Sequence, residues 1–211
     1  MNSQVLLDSC KAVEFHGYKT MAYEVGVDVS KWQVPEKIDW RKLRDAAGVR
    51  YMFGRYAYGN LIDATFWRHG WRAMQAGGIR TGAYQYLVPT QDALQQATLA
   101  LSIASHLSIP FVVDIEARGL TAKHIDTWME AFVRANMPFI IYTSHSAWRA
   151  CYGVGPHKWM HIPLWIANYT TASKPMLADG WDKYAYWQYS QNGRLQGYDG
   201  AIDLNRRLVD A

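Results

Sequence analysis

Cysteine is scarce in this sequence: Cys10 and Cys151 are the only two in 211 residues. Two thiols exclude a framework stapled by several disulfides; one bridge is arithmetically open, and a reduced chain fits as well. Long apolar runs are missing too. None approaches the roughly 20 residues that a membrane-crossing helix needs, so no membrane insertion is expected. The stretch from Met1 to Thr20 carries Asp8, Lys11, Glu14 and Lys19 and lacks the apolar segment of a secretory signal, so a chain made in the cytoplasm is expected. There is no internal repeat and no low-complexity tract. The G-x-S-x-G elbow, the P-loop and G-x-G-x-x-G are all absent, and no cofactor is expected. His157 and His161 have the spacing of a zinc helix, but Lys158 stands where H-E-x-x-H requires its Glu, so no metal site is expected.

What the chain has in quantity is apolar side chains: 50% of residues are hydrophobic and 19% are charged. That balance excludes disorder and supports one sizeable core rather than two small ones. Lys and Arg number 22 against 18 Asp and Glu, a formal charge of +4. The surplus favours an anionic partner only mildly. Its basic residues are scattered rather than striped, so nucleic acid is not expected as a partner. Aromatic content is more telling. The 10 Trp and 14 Tyr either fill the core or offer flat faces on which the C–H edges of sugar rings stack, and composition leaves both open.

Short apolar runs alternate with amphipathic stretches, the pattern of an α/β domain with a largely parallel sheet. Strands are predicted over 25–29, 51–57, 80–87, 111–115, 139–143, 164–167, 184–189 and 201–204. Helices are predicted over 40–47, 64–76, 91–106, 122–135 and 146–152. Eight strands suit a closed barrel, but the last three follow one another without clear helices between them. The expected architecture is therefore a modified TIM-type barrel, five βα units followed by strands, with its chemistry at the carboxyl ends of the strands. Residues 1–23 have no counterpart in the alternation and read as an appended arm of unknown role; 24–211 form the barrel domain.

Four acids fall at predicted strand ends: Asp28 on the first, Asp114 and Glu116 on the fourth, and Asp203 on the last. Side chains on a strand alternate, so Asp114 and Glu116 point one way, with Cα atoms roughly 6.5–7 Å apart. Two acids facing the mouth of a barrel raise each other's proton affinity, so one stays protonated while its partner ionises. Glycoside hydrolysis needs that division: a proton for the leaving oxygen and negative charge near the developing oxocarbenium ion. The other reading of a lone D-x-E is a surface strand end, with a salt bridge to Arg118. Asp28 and Asp203 favour the first.

Nine short motifs then run in order along residues 24 to 207. They are Gly26-Val-Asp-Val-Ser-Lys-Trp-Gln33, Ile38-Asp-Trp40, Phe53 to Gly59, Gly78-Ile-Arg-Thr-Gly-Ala-Tyr84 and Val113-Asp-Ile-Glu116, followed by Ile141-Tyr-Thr-Ser144, Leu164-Trp-Ile-Ala-Asn-Tyr169, Trp187-Gln-Tyr-Ser190 and Asp203-Leu-Asn-Arg206. In these the chain resembles the glycoside hydrolase family 25 lysozymes, the Chalaropsis-type N-acetylmuramidases common among phage endolysins. The resemblance implies a (β/α)5(β)3 barrel and cleavage of the β-1,4 bond between N-acetylmuramic acid and N-acetylglucosamine in peptidoglycan. It implies Glu116 as general acid/base, Asp114 as its partner acid, and Asp28 and Asp203 as the remaining acids of the site. By analogy with the similar D-x-E of family 18 chitinases, Asp114 holds the substrate's acetamido group, which itself attacks the anomeric carbon with retention; direct attack by Asp114 is the other scheme.

Tyr84, Tyr142, Trp165 and Gln188 match positions that line the groove in this family, with core packing as the alternative for Tyr142 and Trp165. The chain departs from the pattern after Tyr84, where the family often carries His and this sequence has Gln85 and then Tyr86. That bears on sugar contacts on that side. Two other readings compete: a catalytically inactive wall-binding or virion module, and a hydrolase of another acetamido polymer such as chitin. The expected setting is a monomeric phage endolysin or virion-borne lysin, reaching the wall after a holin opens the membrane or on the phage particle.

Overall fold

The computed structural model describes residues 23–209. Nine strands occur there: β1 (Tyr23–Val29), β2 (Val49–Tyr58), β3 (Leu61–Ile62), β4 (Arg80–Tyr86), β5 (Phe111–Ile115), β6 (Phe139–Ser144), β7 (Leu164–Ala167), β8 (Tyr186–Leu195) and β9 (Tyr198–Leu208). The helices are α1 (Trp40–Asp45), α2 (Thr65–Ala76), α3 (Ala93–Ala104), α4 (Ala122–Arg134) and α5 (His145–Tyr152). Local chemistry starts four of them. Asp39, Asp92, Thr121 and Ser144 each accept a backbone N–H three residues on, satisfying a donor that the first helical turn leaves orphaned. Residues 1–22 of the proposed arm, with Cys10, lie outside the described residues, and its last residue, Tyr23, opens β1. No helix among those described is long and apolar enough to cross a membrane.

The sheet closes on itself. Neighbours run β1, β2, β4, β5, β6, β7, β8, β9 and back to β1, with β3 a short antiparallel addition to β2. All pairings from β1 round to β8 are parallel, whereas β9 runs antiparallel to both β8 and β1. This is the expected barrel, with a helix after each of its first five strands. One difference lies at its end: β8 runs past the predicted limit of 189 and β9 starts before the predicted 201, so the two form a long hairpin. Ser190, Gln191, Asn192 and Arg194 carry no apolar alternation, and the register shifts three times along the pair. Bulged, solvent-washed pairing of this kind leaves no period-two signal to read.

Period two governs the rest. On β5, Phe111, Val113 and Ile115 face the helical layer, where they join Trp128 and Phe132 of α4, while Val112 faces the barrel interior. That interior is aromatic: Tyr51, Phe53, Tyr84, Tyr142, Trp165 and Tyr186 fill it, with Phe53 stacked on Trp165 at 4.4 Å between centroids. Two glycines make room for these rings. A Cβ at Gly26 would sit 2.1 Å from the Tyr51 ring, and one at Gly82 would sit 2.6 Å from Phe53. The aromatic plug closes the barrel below its mouth and leaves the carboxyl ends of the strands as the open end.

Candidate active site

At that open end lies a cleft of about 460 Å³. Its walls include all eight residues singled out from the sequence: Asp28, Asp114, Glu116, Asp203, Tyr84, Tyr142, Trp165 and Gln188. Strand parity delivers them. Asp28 is the penultimate residue of β1, Asp114 sits two positions beyond inward-facing Val112, and Glu116 is the first residue past β5. Asp28 and Asp203 are direct partners across the β1–β9 seam.

Asp114 is 4% exposed, and its Oδ1 has no hydrogen-bond partner among the described residues. Burial pushes its pKa well above the carboxylate range; the nearby charges of Glu116 and Asp28 push the same way, and Arg55 opposes them. Glu116 stands at the solvent side of the cleft. Enclosure by the walls raises its pKa, with Asp28 adding to the effect. No ion pair joins either acid to Arg118, so the surface reading of the D-x-E does not hold among the described residues.

Asp28 and Asp203 behave as one unit. Burial raises both, and Asp203, which also feels the Asp28 charge, is pushed up to about 9. Asp203 therefore carries the proton and Asp28 the charge, since Asp28 is the better solvated by donors. Gln188 Nε2 and Asn205 Nδ2 both donate to Asp28 Oδ2, at 2.8 and 2.7 Å. Gln188 turns its other end to the tyrosines, its Oε1 accepting from Tyr142 at 2.9 Å and from Tyr169 at 2.7 Å. Trp165 Nε1 donates to Asn205 Oδ1 at 2.8 Å. Tyr142 and Trp165 thus do both things that the sequence left open: they pack in the interior and present an edge to the cleft.

Several cleft residues were not singled out beforehand. Arg55 lines the wall, held by Asp63 through Nε at 2.9 Å and Nη2 at 2.7 Å. Tyr58 and Tyr86 stack at 4.8 Å, and Trp32, 75% exposed, stands at the rim beside Lys31. Parity would have found Arg55, two residues after inward-facing Phe53, and Asn205, two after Asp203. Gln85 faces the other way. Its side chain is buried in the helical layer, accepting from Trp128 Nε1 at 2.7 Å and donating to the carbonyls of Gly59 and Gln96. The departure from the family pattern at this position therefore leaves the cleft untouched, and Tyr86 is the residue that reaches it. His157 packs edge-on against Trp148, and His145 bonds the Leu177 carbonyl.

Comparison with known proteins agrees with this geometry. The family model described as Glycosyl hydrolases family 25 matches residues 27–198. Lysozyme M1 of Streptomyces globisporus is 30% identical over 200 residues, spanning 86% of this chain and 66% of that protein. The uncharacterized protein YegX of Escherichia coli K12 is 28% identical over 215 residues, 92% of this chain and 76% of YegX. Among solved structures, the bacterial lysozyme of Streptomyces coelicolor superposes with a TM-score of 0.74 at 28% identity, covering 89% of this chain and 93% of that one. A muramidase from Acremonium alcalophilum gives 0.73 at 26% identity, covering 89% and 94%. With a closed eight-stranded barrel, four acids at its mouth and a family match over most of its length, the chain belongs to glycosyl hydrolase family 25, the lysozyme family, and is a glycoside hydrolase.

Proposed function

We propose that this protein is an N-acetylmuramidase that hydrolyses the β-1,4 bond between N-acetylmuramic acid and N-acetylglucosamine in peptidoglycan glycan strands. One observation carries the reading: a buried carboxylate, Asp114, with an unpartnered oxygen, set beside an acid at the solvent side of the same cleft. A buried unpaired acceptor is costly unless a ligand supplies the donor. The acetamido N–H of the sugar on the non-reducing side of the scissile bond is such a donor.

In the proposed cycle Glu116, whose hold on its proton is strengthened by enclosure in the cleft, gives that proton to the glycosidic oxygen as the bond breaks. The acetamido carbonyl oxygen, held by Asp114 through the N–H, attacks the anomeric carbon from the opposite face and closes an oxazolinium ring. Asp114 accepts that N–H as a carboxylate, its proton having left to solvent as the sugar binds, and its charge offsets the positive charge of the ring. Glu116, now a carboxylate, takes a proton from water as the water opens the ring, which restores the acid and retains configuration. Asp28, Asp203 and Gln188 maintain the negative, hydrogen-bonded floor on which the tyrosines are oriented.

Clearing of a suspension of purified peptidoglycan tests the assignment. Wild type should clear it, and Glu116→Gln should be slower by about 10²–10⁴-fold while melting at no lower temperature. Equal clearing by both would overturn the role of Glu116. Reducing-end analysis should find muramic acid at the new ends; glucosamine ends, or preference for chitin, would overturn the bond assignment. Delivery through a holin-opened membrane or on a phage particle, by a monomer, completes the proposal. Detection in purified virions separates the two routes.

A further inference from the structure

The outward face of α2 carries a feature that the cleft does not use. Trp67 and Trp71, one turn apart, are 51% and 61% exposed, although side chains of this size are usually well buried. Trp67 is nevertheless held in place, edge-on to Phe66 at 5.0 Å and to Tyr56 at 6.2 Å between centroids. Each tryptophan is followed by an arginine, and Arg68 and Arg72 both reach the same carboxylate, Glu36. One carboxylate cannot saturate the forked donors of two guanidiniums, so the patch stays net positive and rich in free N–H groups. These five side chains line a shallow depression of about 480 Å³.

One loop joins the patch to the cleft. Glu36 lies in a turn, Pro35–Lys37, reached directly from Ser30, Lys31 and Trp32 of the cleft rim. The same loop is tied to α2 where the Gln33 carbonyl meets His69 Nε2 at 3.0 Å. One segment therefore borders the cleft on one side and the tryptophan patch on the other.

We propose that this face of α2 is a second binding site for the wall glycan, taking a strand other than the one being cut. Its sugar rings stack on Trp67 and Trp71, and the carboxylates of the attached peptides pair with Arg68 and Arg72. Charge decides for an acidic glycan: a neutral one would leave the guanidiniums idle. On an insoluble polymer such a site holds the enzyme at the surface between cuts, raising the effective concentration of strands at the cleft. The inference rests on the peptidoglycan reading of the cleft, but it is a statement about binding, not turnover.

The test uses the full chain carrying Glu116→Gln, so that nothing is cut, and measures co-sedimentation with purified insoluble peptidoglycan. Adding Trp67→Ala and Trp71→Ala should weaken binding about tenfold, and Arg68→Gln with Arg72→Gln should weaken it and flatten its salt dependence. In the otherwise wild-type chain the tryptophan pair should leave turnover of a short soluble muro-oligosaccharide within about twofold, since one strand fills only the cleft. Trp71→Ala alone, which disturbs no ring contact among the described residues, guards against a folding defect. Unchanged sedimentation would overturn the proposal. So would a wild type that dimerises through this face, seen as a drop in sedimentation coefficient on its loss. A response to the tryptophan changes only after residues 1–22 are removed would also overturn it, because the chain's own N-terminus would then be the occupant. A wild type that binds the polymer through this face yet cuts nothing would instead fail the cleft reading alone.

Discussion

Asp28 and Asp203 stand in register across the seam where the last strand runs antiparallel to the first, so closing the barrel is the act that brings them together. Among the described residues neither forms an ion pair with a cation. What stabilises the pair is one shared proton and the amide donors of Gln188 and Asn205, both directed at Asp28. The cleft is thus built to hold negative charge on some carboxyls and protons on others, which is the condition for acid/base work on a glycosidic bond.

This arrangement should make stability fall as pH rises. Asp203 in the folded chain holds its proton up to about pH 9, whereas in the unfolded chain it loses it near the ordinary Asp value of about 4. The folded state therefore binds the extra proton between those limits. Its stabilising contribution is complete below about pH 4 and is lost as pH climbs toward 9. Asp203→Asn mimics the protonated side chain and removes that dependence. Its melting temperature relative to wild type should increase steadily from about pH 5 to pH 9; a constant difference across that range would contradict the shared proton.

Gln188 joins the acids to the tyrosines. Gln188→Leu would strip Asp28 of one donor, leave the buried hydroxyl of Tyr142 without its acceptor, and free the hydroxyl of half-exposed Tyr169 to water. A loss of about 2–4 kcal/mol in denaturant unfolding is expected, together with slower cleavage. Full activity in this variant would show that the network does not orient the cleft.

Gln85 should behave differently, because it faces the helices. Gln85→Leu removes the acceptor of Trp128 and the donor of the Gly59 and Gln96 carbonyls. Stability should drop by about 2–3 kcal/mol while KM for glycan stays as in wild type. A changed KM with unchanged stability would reverse this assignment.

Gly26 is required by a ring rather than by its backbone. Gly26→Ala would drive a methyl group into Tyr51, at a cost of about 1–3 kcal/mol or more. Tyr51→Leu should relieve the clash, so the double variant should be more stable than the two single effects added together predict. Strict additivity in a thermal melt would disprove the contact.

The two roles open to Asp114 separate chemically. With the substrate's own acetamido group as nucleophile, Asp114→Ala should be slow, and added azide should yield no glycosyl azide. If Asp114 were the nucleophile, azide would fill the space and give the adduct of inverted configuration, visible by NMR.

The order of strands and helices, the count of barrel strands and the facing of Asp114 and Glu116 were all legible in the sequence. Each depends on local periodicity: alternation along β5 sets which side an acid occupies, and caps such as Asp39 and Ser144 start helices where they stand. The alignment of short motifs added the family and the labour expected of Glu116. The tertiary structure alone decided what depends on residues remote in the chain. Asp28 meets Asp203 only because the barrel closes, and Gln188 on β8 reaches Asp28 across that same seam. Gln85 lies beside Tyr84 and Tyr86 in sequence yet turns away from the cleft they line. Proton affinities belong to this second kind. They come from burial and neighbouring charge, which no window of sequence contains, and so the site's chemistry was settled by packing rather than by residue type.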